Sequence, residues 1–106
     1  MSGEQTTEEL QKIIQELQIL RGQIQTLSSQ SSEYSLTMDS LESQRPEKPV
    51  YRSVGNLLLE VSDREKLIKD LSASKVNIEN HLKNLIEKEQ SLRNNYEDLV
   101  ASFESQ

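Results

Sequence analysis

Apolar residues recur at alternating intervals of three and four positions through two long stretches of the chain. They run through residues 10–41 with Ser31 as the polar exception, and through residues 68–103 with Lys75 and Glu89 as exceptions. This spacing is typical of coiled-coil helices, in which apolar residues occupy the a and d positions of a seven-residue repeat. The pattern therefore predicts a mainly α protein built on two long helices.

Local signals for helix ends place the first helix at residues 6–44 and the second at residues 63–104. The stretches TTEE and SDRE have the form of capping boxes, with Thr6 and Ser62 as the capping residues. The two prolines of RPEKP end the first helix. Because the two helices are about equal in length, a connector that reverses the chain would pair them as an antiparallel coiled coil. We expect a single domain over residues 1–106.

The connector contains one segment of a different kind, PVYRSVGNLLLEV, in which β-branched and aliphatic residues lie on both sides of Gly55 and Asn56. Glycine at the first central position favours a type II′ two-residue turn, so the segment predicts a single β-hairpin over residues 50–61. This turn sets the register of the strands, which pairs Val54 with Leu57, Arg52 with Leu59, and Val50 with Val61.

The predicted hairpin has an apolar face that the helices would not cover, because it lies at the end of the coiled coil. A lone hairpin is marginally stable in water, and its edges offer unpaired backbone groups to other chains. We therefore expect it to assemble with hairpins of other subunits into an intersubunit β-barrel, which removes the edges. The residues expected to form this assembly hairpin are Val50, Tyr51, Val54, Gly55, Leu57, Leu58, Leu59 and Val61.

Composition excludes several classes of function. The net charge is −6 and no basic stripe is present, so we expect no nucleic-acid partner and no anionic membrane partner. The chain has no cysteine and one histidine, His81, so we expect no metal site, no cofactor and no enzymatic activity. The start MSGEQTTEEL lacks the features of a signal peptide, and no apolar run approaches the roughly 20 residues of a membrane span. We expect an intracellular soluble protein.

The hairpin and its flanks resemble the β class of prefoldin subunits. The stretch SSEYSLTMDSLESQ before the hairpin is similar to eukaryotic prefoldin subunit two, and EKLIKDL after it is similar to archaeal β subunits. A single hairpin fits the β class, since the α class carries two. Asn56 departs from the family, in which a second glycine or a small residue is common. The core of the similarity consists of Tyr51, Arg52, Val54, Gly55, Leu57, Leu58, Leu59 and Glu60.

This resemblance implies an ATP-independent chaperone of the cytoplasm. The family forms a hexamer of two α-class and four β-class subunits, with a double β-barrel platform from which six coiled coils project. The distal tips hold non-native proteins such as actin and tubulin and deliver them to the cytosolic group II chaperonin. By this resemblance, the partners of our chain are other prefoldin subunits, non-native clients and that chaperonin.

A client-binding tip is expected where the start of the first helix meets the end of the second. Ile14 and Val100 lie at e positions, beside the seam, and widen the apolar surface there. Ile19 and Leu36, at outer positions, are weaker candidates. The residues expected to bind clients are Leu10, Ile13, Ile14, Leu17, Tyr96, Leu99, Val100 and Phe103.

An alternative function from a different class is a coiled-coil scaffold or tether that uses the hairpin for assembly alone. This alternative predicts a defined folded partner and no affinity for unfolded chains. The two functions therefore differ in what the free end of the coiled coil binds.

Overall fold

The computed structural model describes residues 3–105, and the three remaining residues of the predicted domain lie outside this range. Four elements follow one another along the chain, and the molecule measures 71 × 25 × 16 Å. Each helix has 41 residues, or about 60 Å at 1.5 Å per residue. The predicted fold of two equal antiparallel helices joined by a single hairpin is confirmed. The elements are α1 (Gly3–Ser43), β1 (Tyr51–Val54), β2 (Leu57–Glu60) and α2 (Arg64–Glu104).

The start of α1 differs from the prediction. The helix begins at Gly3, so Thr6 lies inside it and is not a capping residue. Thr6 precedes Leu10 by one step of four and thus continues the seam, and only 5% of its surface is exposed. Burial at this seam position extends the helix beyond the local capping signal, which explains why the predicted start was wrong.

The start of α2 also differs, by a single position. Asp63, rather than Ser62, is the N-cap: its backbone is extended (φ −124°, ψ 93°), and its carboxylate accepts a hydrogen bond from the Lys66 N–H at 3.0 Å. Aspartate caps as well as serine does, and its negative charge is also favourable at the positive end of the helix dipole.

The core of the molecule is the seam between the helices. Every buried apolar residue of the described chain occupies a predicted a or d position, and each remains 6–9% exposed. This incomplete burial follows from the architecture, because each helix has one partner and solvent reaches both flanks of the seam. These buried residues are Ile13, Leu17, Leu20, Leu41 and Leu85.

The two charged residues in the seam of α2 find different partners. Glu89 pairs across the seam with Arg21 of α1, with 3.3 Å between Nη2 and Oε1. Lys75 pairs with Glu79 on its own helix at 3.5 Å. Only the Glu89 pair therefore links the two helices and marks their relative alignment.

Candidate functional site: the hairpin and the free helix ends

The hairpin has the predicted register. Val54 pairs with Leu57, Arg52 pairs with Leu59, and the Val61 N–H donates to the Val50 carbonyl at 2.7 Å. Along each strand, neighbouring side chains lie on opposite faces of the hairpin.

The geometry of the turn agrees with type II′. Gly55 has φ +59°, whereas Asn56 has no positive φ, and this combination separates type II′ from type I′. A Cβ added at Gly55 would meet no atom within 4 Å. Glycine is therefore required there by the backbone conformation and not by a close neighbour.

The strands are open to solvent on both faces. All residues of β1 and β2 are exposed, and neither strand packs against a helix in the described part of the chain. Val50 and Val61, at the base of the hairpin, are half-buried. The exposed apolar side chains are Tyr51 (55%), Val54 (49%), Leu57 (64%), Leu58 (72%) and Leu59 (47%).

Arg64, the first residue of α2, ties the connector to the start of that helix. Its guanidinium donates from Nη2 to the Lys48 carbonyl at 2.5 Å and from Nη1 to the Arg45 carbonyl at 3.3 Å. The Lys48 N–H also donates to the Arg45 carbonyl, which closes a turn. These contacts position the chain just before β1, so they set the direction in which the hairpin leaves the helices.

Sequence reasoning missed this role of Arg64. One signal was present: an arginine in the first turn of a helix opposes the helix dipole, which favours acidic residues there. A cation at that position thus indicates a specific acceptor nearby, and the two connector carbonyls are those acceptors.

The predicted tip residues lie together at the end of the molecule opposite the hairpin. Counting equal distances along both helices from the Arg21–Glu89 pair places Leu10 opposite Val100. Ile14 and Phe103 are exposed, at 40% and 45%. The other six are buried or half-buried: Leu10, Ile13, Leu17, Tyr96, Leu99 and Val100.

This pattern of burial divides the predicted client-binding residues into two groups. Ile14 and Phe103 are open to a partner in the structure as it stands. Ile13 and Leu17, at 8% and 6% exposure, contact a client only if the helix ends separate. Client binding by any of the eight tip residues stays a prediction.

Two further exposed apolar residues were not singled out from the sequence. Val76 is 51% exposed and Ile86 is 47% exposed. Ile86 was recognisable by position, since it follows Leu85 in the seam as Ile14 follows Ile13.

Chemistry of other kinds is not evident in the described residues. No group of three histidine or acidic side chains among residues 3–105 is placed to hold a metal ion. The surface depressions are open grooves, such as the one beside His81 and Leu85. Within the same range, neither helix is long and apolar enough to cross a membrane.

The chain is similar to known proteins over almost its whole length. A family model described as prefoldin subunit matches residues 4–105. A prefoldin subunit beta of Thermoplasma volcanium is 28% identical, over 89% of this chain and 82% of the relative. A prefoldin subunit beta of Archaeoglobus fulgidus is also 28% identical, over 83% of this chain and 81% of the relative.

Two crystal structures share the fold. The prefoldin beta subunit from Thermococcus strain KS-1 superposes with a TM-score of 0.87 at 24% identity, covering 96% of this chain and 89% of that one. The beta2 subunit of the same strain gives a TM-score of 0.75 at 20% identity, covering 87% of this chain and 97% of that one. The resemblance inferred from the hairpin residues is thereby confirmed: the chain belongs to the prefoldin subunit family, a family of chaperones.

Proposed function

We propose that this chain is a β-class subunit of a hexameric, ATP-independent holdase of the cytoplasm. In this proposal two α-class subunits and other β-class subunits complete the hexamer. The tips of the coiled coils bind non-native proteins, such as actin and tubulin, and deliver them to the group II chaperonin. The observation that carries the proposal is the hairpin, whose apolar side chains are open on both faces.

The exposed hairpin supports assembly on physical grounds. Leu57 and Leu58, on opposite faces, are 64% and 72% exposed, and the strand edges have no partner strand in the described chain. Contiguous exposed apolar surface of this kind marks an interaction site. Pairing with hairpins of other subunits satisfies the edges, and closure into a barrel buries one face of each strand.

The arrangement of the arms supports client binding. The free helix ends lie opposite the hairpin, so an assembly through the hairpins projects its tips into solvent. Each tip offers a small apolar surface around Ile14 and Phe103, which binds weakly alone. Several tips on one platform act at a high effective concentration, and this converts weak contacts into stable capture without ATP.

A test of assembly measures the mass of this chain in solution, alone and mixed with an α-class prefoldin subunit, by light scattering after size exclusion. We expect a hexamer with the α subunit, and we expect Leu59→Asp in the hairpin to abolish it. Leu36→Asp, at a helix residue that is 67% exposed, is the matched control and should leave the hexamer intact. A wild-type chain that stays monomeric with the α subunit contradicts the proposal.

A second test concerns the clients. The assembled complex is added to a chemically denatured protein during dilution, and aggregation is followed by light scattering. We expect suppression without ATP. A stable hexamer that fails to suppress aggregation favours the alternative function, a scaffold or tether with a folded partner.

A further inference from the structure

The two flanks of the coiled coil differ in composition near the free helix ends. In an antiparallel pair, the e positions of both helices line one flank and the g positions line the other, on either side of the a/d seam. We name these two sets, over the half of the arm next to the tip, the e row and the g row. In order from the tip, the e row contains Thr7, Val100, Ile14, Arg93, Arg21 and Ile86, and the g row contains Ser102, Glu9, Asn95, Glu16, Lys88 and Gln23.

Apolar residues occur in the e row alone. Ile14 and Ile86 are 40% and 47% exposed, and Val100 is half-buried. The g row has no apolar member. On the opposite flank, the exposed apolar residue over this stretch is Ile19, at a c position (63% exposed). An apolar ligand that lies along the arm therefore contacts three apolar residues on the e flank and Ile19 on the other.

The flanks also differ in charge. With the neighbouring b positions included, the e flank between Ile86 and Val100 carries the cations Arg21 and Arg93 against Glu97. Over the same stretch, the opposite flank with its c positions carries equal numbers of acids and bases: Glu16 and Asp98 against Lys12 and Lys88. The e flank thus has one more cation than acids over this stretch, and because Arg21 pairs with Glu89 in the seam, Arg93 supplies that excess charge.

The two arginines of the e row lie between its apolar residues. Arg21 uses Nε and Nη2 on Glu89, and Arg93 uses Nη2 on the side-chain oxygen of Gln90. A guanidinium has five N–H donors, so each arginine retains donors for a further carboxylate. Exposed amides of Gln11 and Gln18, at b positions beside the row, can pair with backbone groups of a chain that lacks secondary structure.

The length of the row suits a short extended segment. Val100 and Ile86 are about 21 Å apart along α2 at 1.5 Å per residue. An extended chain advances about 3.3 Å per residue, so six or seven residues cover this distance. Apolar residues at both ends of such a segment reach Val100 and Ile86, and a residue at its centre faces the arginines.

We propose that the e row is a continuous binding strip for extended non-native segments with apolar residues at both ends and an acidic residue at the centre. The strip reaches beyond the tip to Ile86. This inference rests on the proposed client-binding function and adds to it the side of the arm and the kind of segment that binds.

The test uses the assembled complex and two fluorescent tetravalent probes. Each probe carries four copies of a seven-residue segment, Leu-Val-Ser-Asp-Ser-Val-Leu or the same segment with Lys in place of Asp, joined by Gly-Ser linkers. Four copies raise the effective concentration, so that weak contacts become measurable by fluorescence anisotropy. We expect the Asp probe to bind at least about threefold more tightly than the Lys probe, because of the arginines.

Three variants test whether the e row is the surface that binds the Asp probe. We expect Ile86→Ser to weaken binding of the Asp probe about three- to tenfold, as burial of a half-exposed isoleucine predicts. Ile19→Ser is the matched control, because Ile19 is 63% exposed at a c position on the opposite flank; we expect less than a twofold change. Arg93→Glu should reverse the preference between the Asp and Lys probes while leaving the Arg21–Glu89 pair in place.

The outcomes separate this inference from the proposed function. Equal losses with Ile86→Ser and Ile19→Ser, or equal binding of the two probes, overturn the e row as the binding strip. The same is true if neither probe binds while wild-type complex suppresses aggregation of a denatured protein. If wild-type complex does not suppress that aggregation, the proposed client binding itself fails. Circular dichroism confirms that each variant keeps its helices.

Discussion

Arg21 of α1 and Glu89 of α2 form an ion pair across the seam, in which the glutamate occupies an a position that an apolar residue would normally fill. The side chain of Glu89 is 13% exposed and that of Arg21 is 58% exposed. The pair therefore compensates a mostly buried charge with a partner on the surface, and it opposes sliding of one helix along the other.

The first prediction concerns the stability of this pair. Glu89→Leu should raise the free energy of unfolding by about 1 kcal/mol, because an apolar side chain at an a position gains burial and the charge no longer needs desolvation. Arg21→Ala should lower the free energy of unfolding by about 0.5–1 kcal/mol. The effect is small because the arginine is largely exposed and solvent screens its charge. Thermal unfolding followed by circular dichroism should show shifts of a few degrees with opposite signs. A lower melting temperature for Glu89→Leu would contradict this account.

Two glycines allow a second prediction with an internal control. A Cβ at Gly22 or at Gly55 would meet no atom within 4 Å, but only Gly55 has a positive φ. Gly22→Ala in α1 should stabilise the chain by about 0.5–1 kcal/mol, because alanine favours the helix. Gly55→Ala should destabilise the hairpin by about 1 kcal/mol or more through backbone strain.

The contrast between the variants Gly22→Ala and Gly55→Ala is measured in the assembled complex. Gly55→Ala should raise the concentration at which the hexamer dissociates, while helix content measured by circular dichroism stays unchanged. Gly22→Ala should raise the melting temperature and leave assembly as it is. Effects of the same sign at both positions would show that φ at the turn does not control assembly.

The third prediction concerns Arg64, which donates to the carbonyls of Arg45 and Lys48. Arg64→Ala should weaken association with the α-class subunit by about tenfold, because the connector loses the contacts that direct the hairpin. Arg64→Lys should restore only part of the affinity, since an ammonium does not reproduce the fork of a guanidinium. Sedimentation velocity measures the association.

A purely local role in helix stability predicts a different result for Arg64. In that case the loss of assembly would follow loss of helix, and Arg64→Glu, which suits the dipole at a helix start, would assemble better than Arg64→Ala. Circular dichroism of each variant beside its sedimentation profile separates the two explanations.

The seam and the hairpin were accessible to sequence reasoning because both depend on local periodicity. The spacing of three and four identified Ile13, Leu17 and Leu85 as seam residues, and all three are buried. The choice of Gly55 at the first turn position gave the register of the strands, since a two-residue turn leaves one pairing.

Other features depend on contacts between distant parts of the chain. Arg64 meets backbone carbonyls whose positions follow from the path of the connector, and backbone carbonyls carry no sequence signature. Thr6 looked like a cap because its local sequence suits one, yet burial in the seam overrides that preference. For the predicted tip residues, the periodicity predicts the position in the heptad but not the exposed fraction of the side chain. That fraction depends on how far the partner helix extends.

The last prediction addresses client contact at the tip. When the hexamer carries the double variant Ile14→Asp with Val100→Asp, about ten times more of it should be needed to suppress aggregation. The reason is that two charges on an apolar surface oppose its burial. Ile19→Asp with Leu36→Asp is the matched control: both residues are more than 60% exposed, and both lie at outer positions. This control should act like wild type. Since each arm contributes weakly, the loss should be steeper when every β-class arm of the complex carries the change than when one arm does. Equal activity of the two double variants would assign client binding to a surface other than the one around Ile14 and Val100.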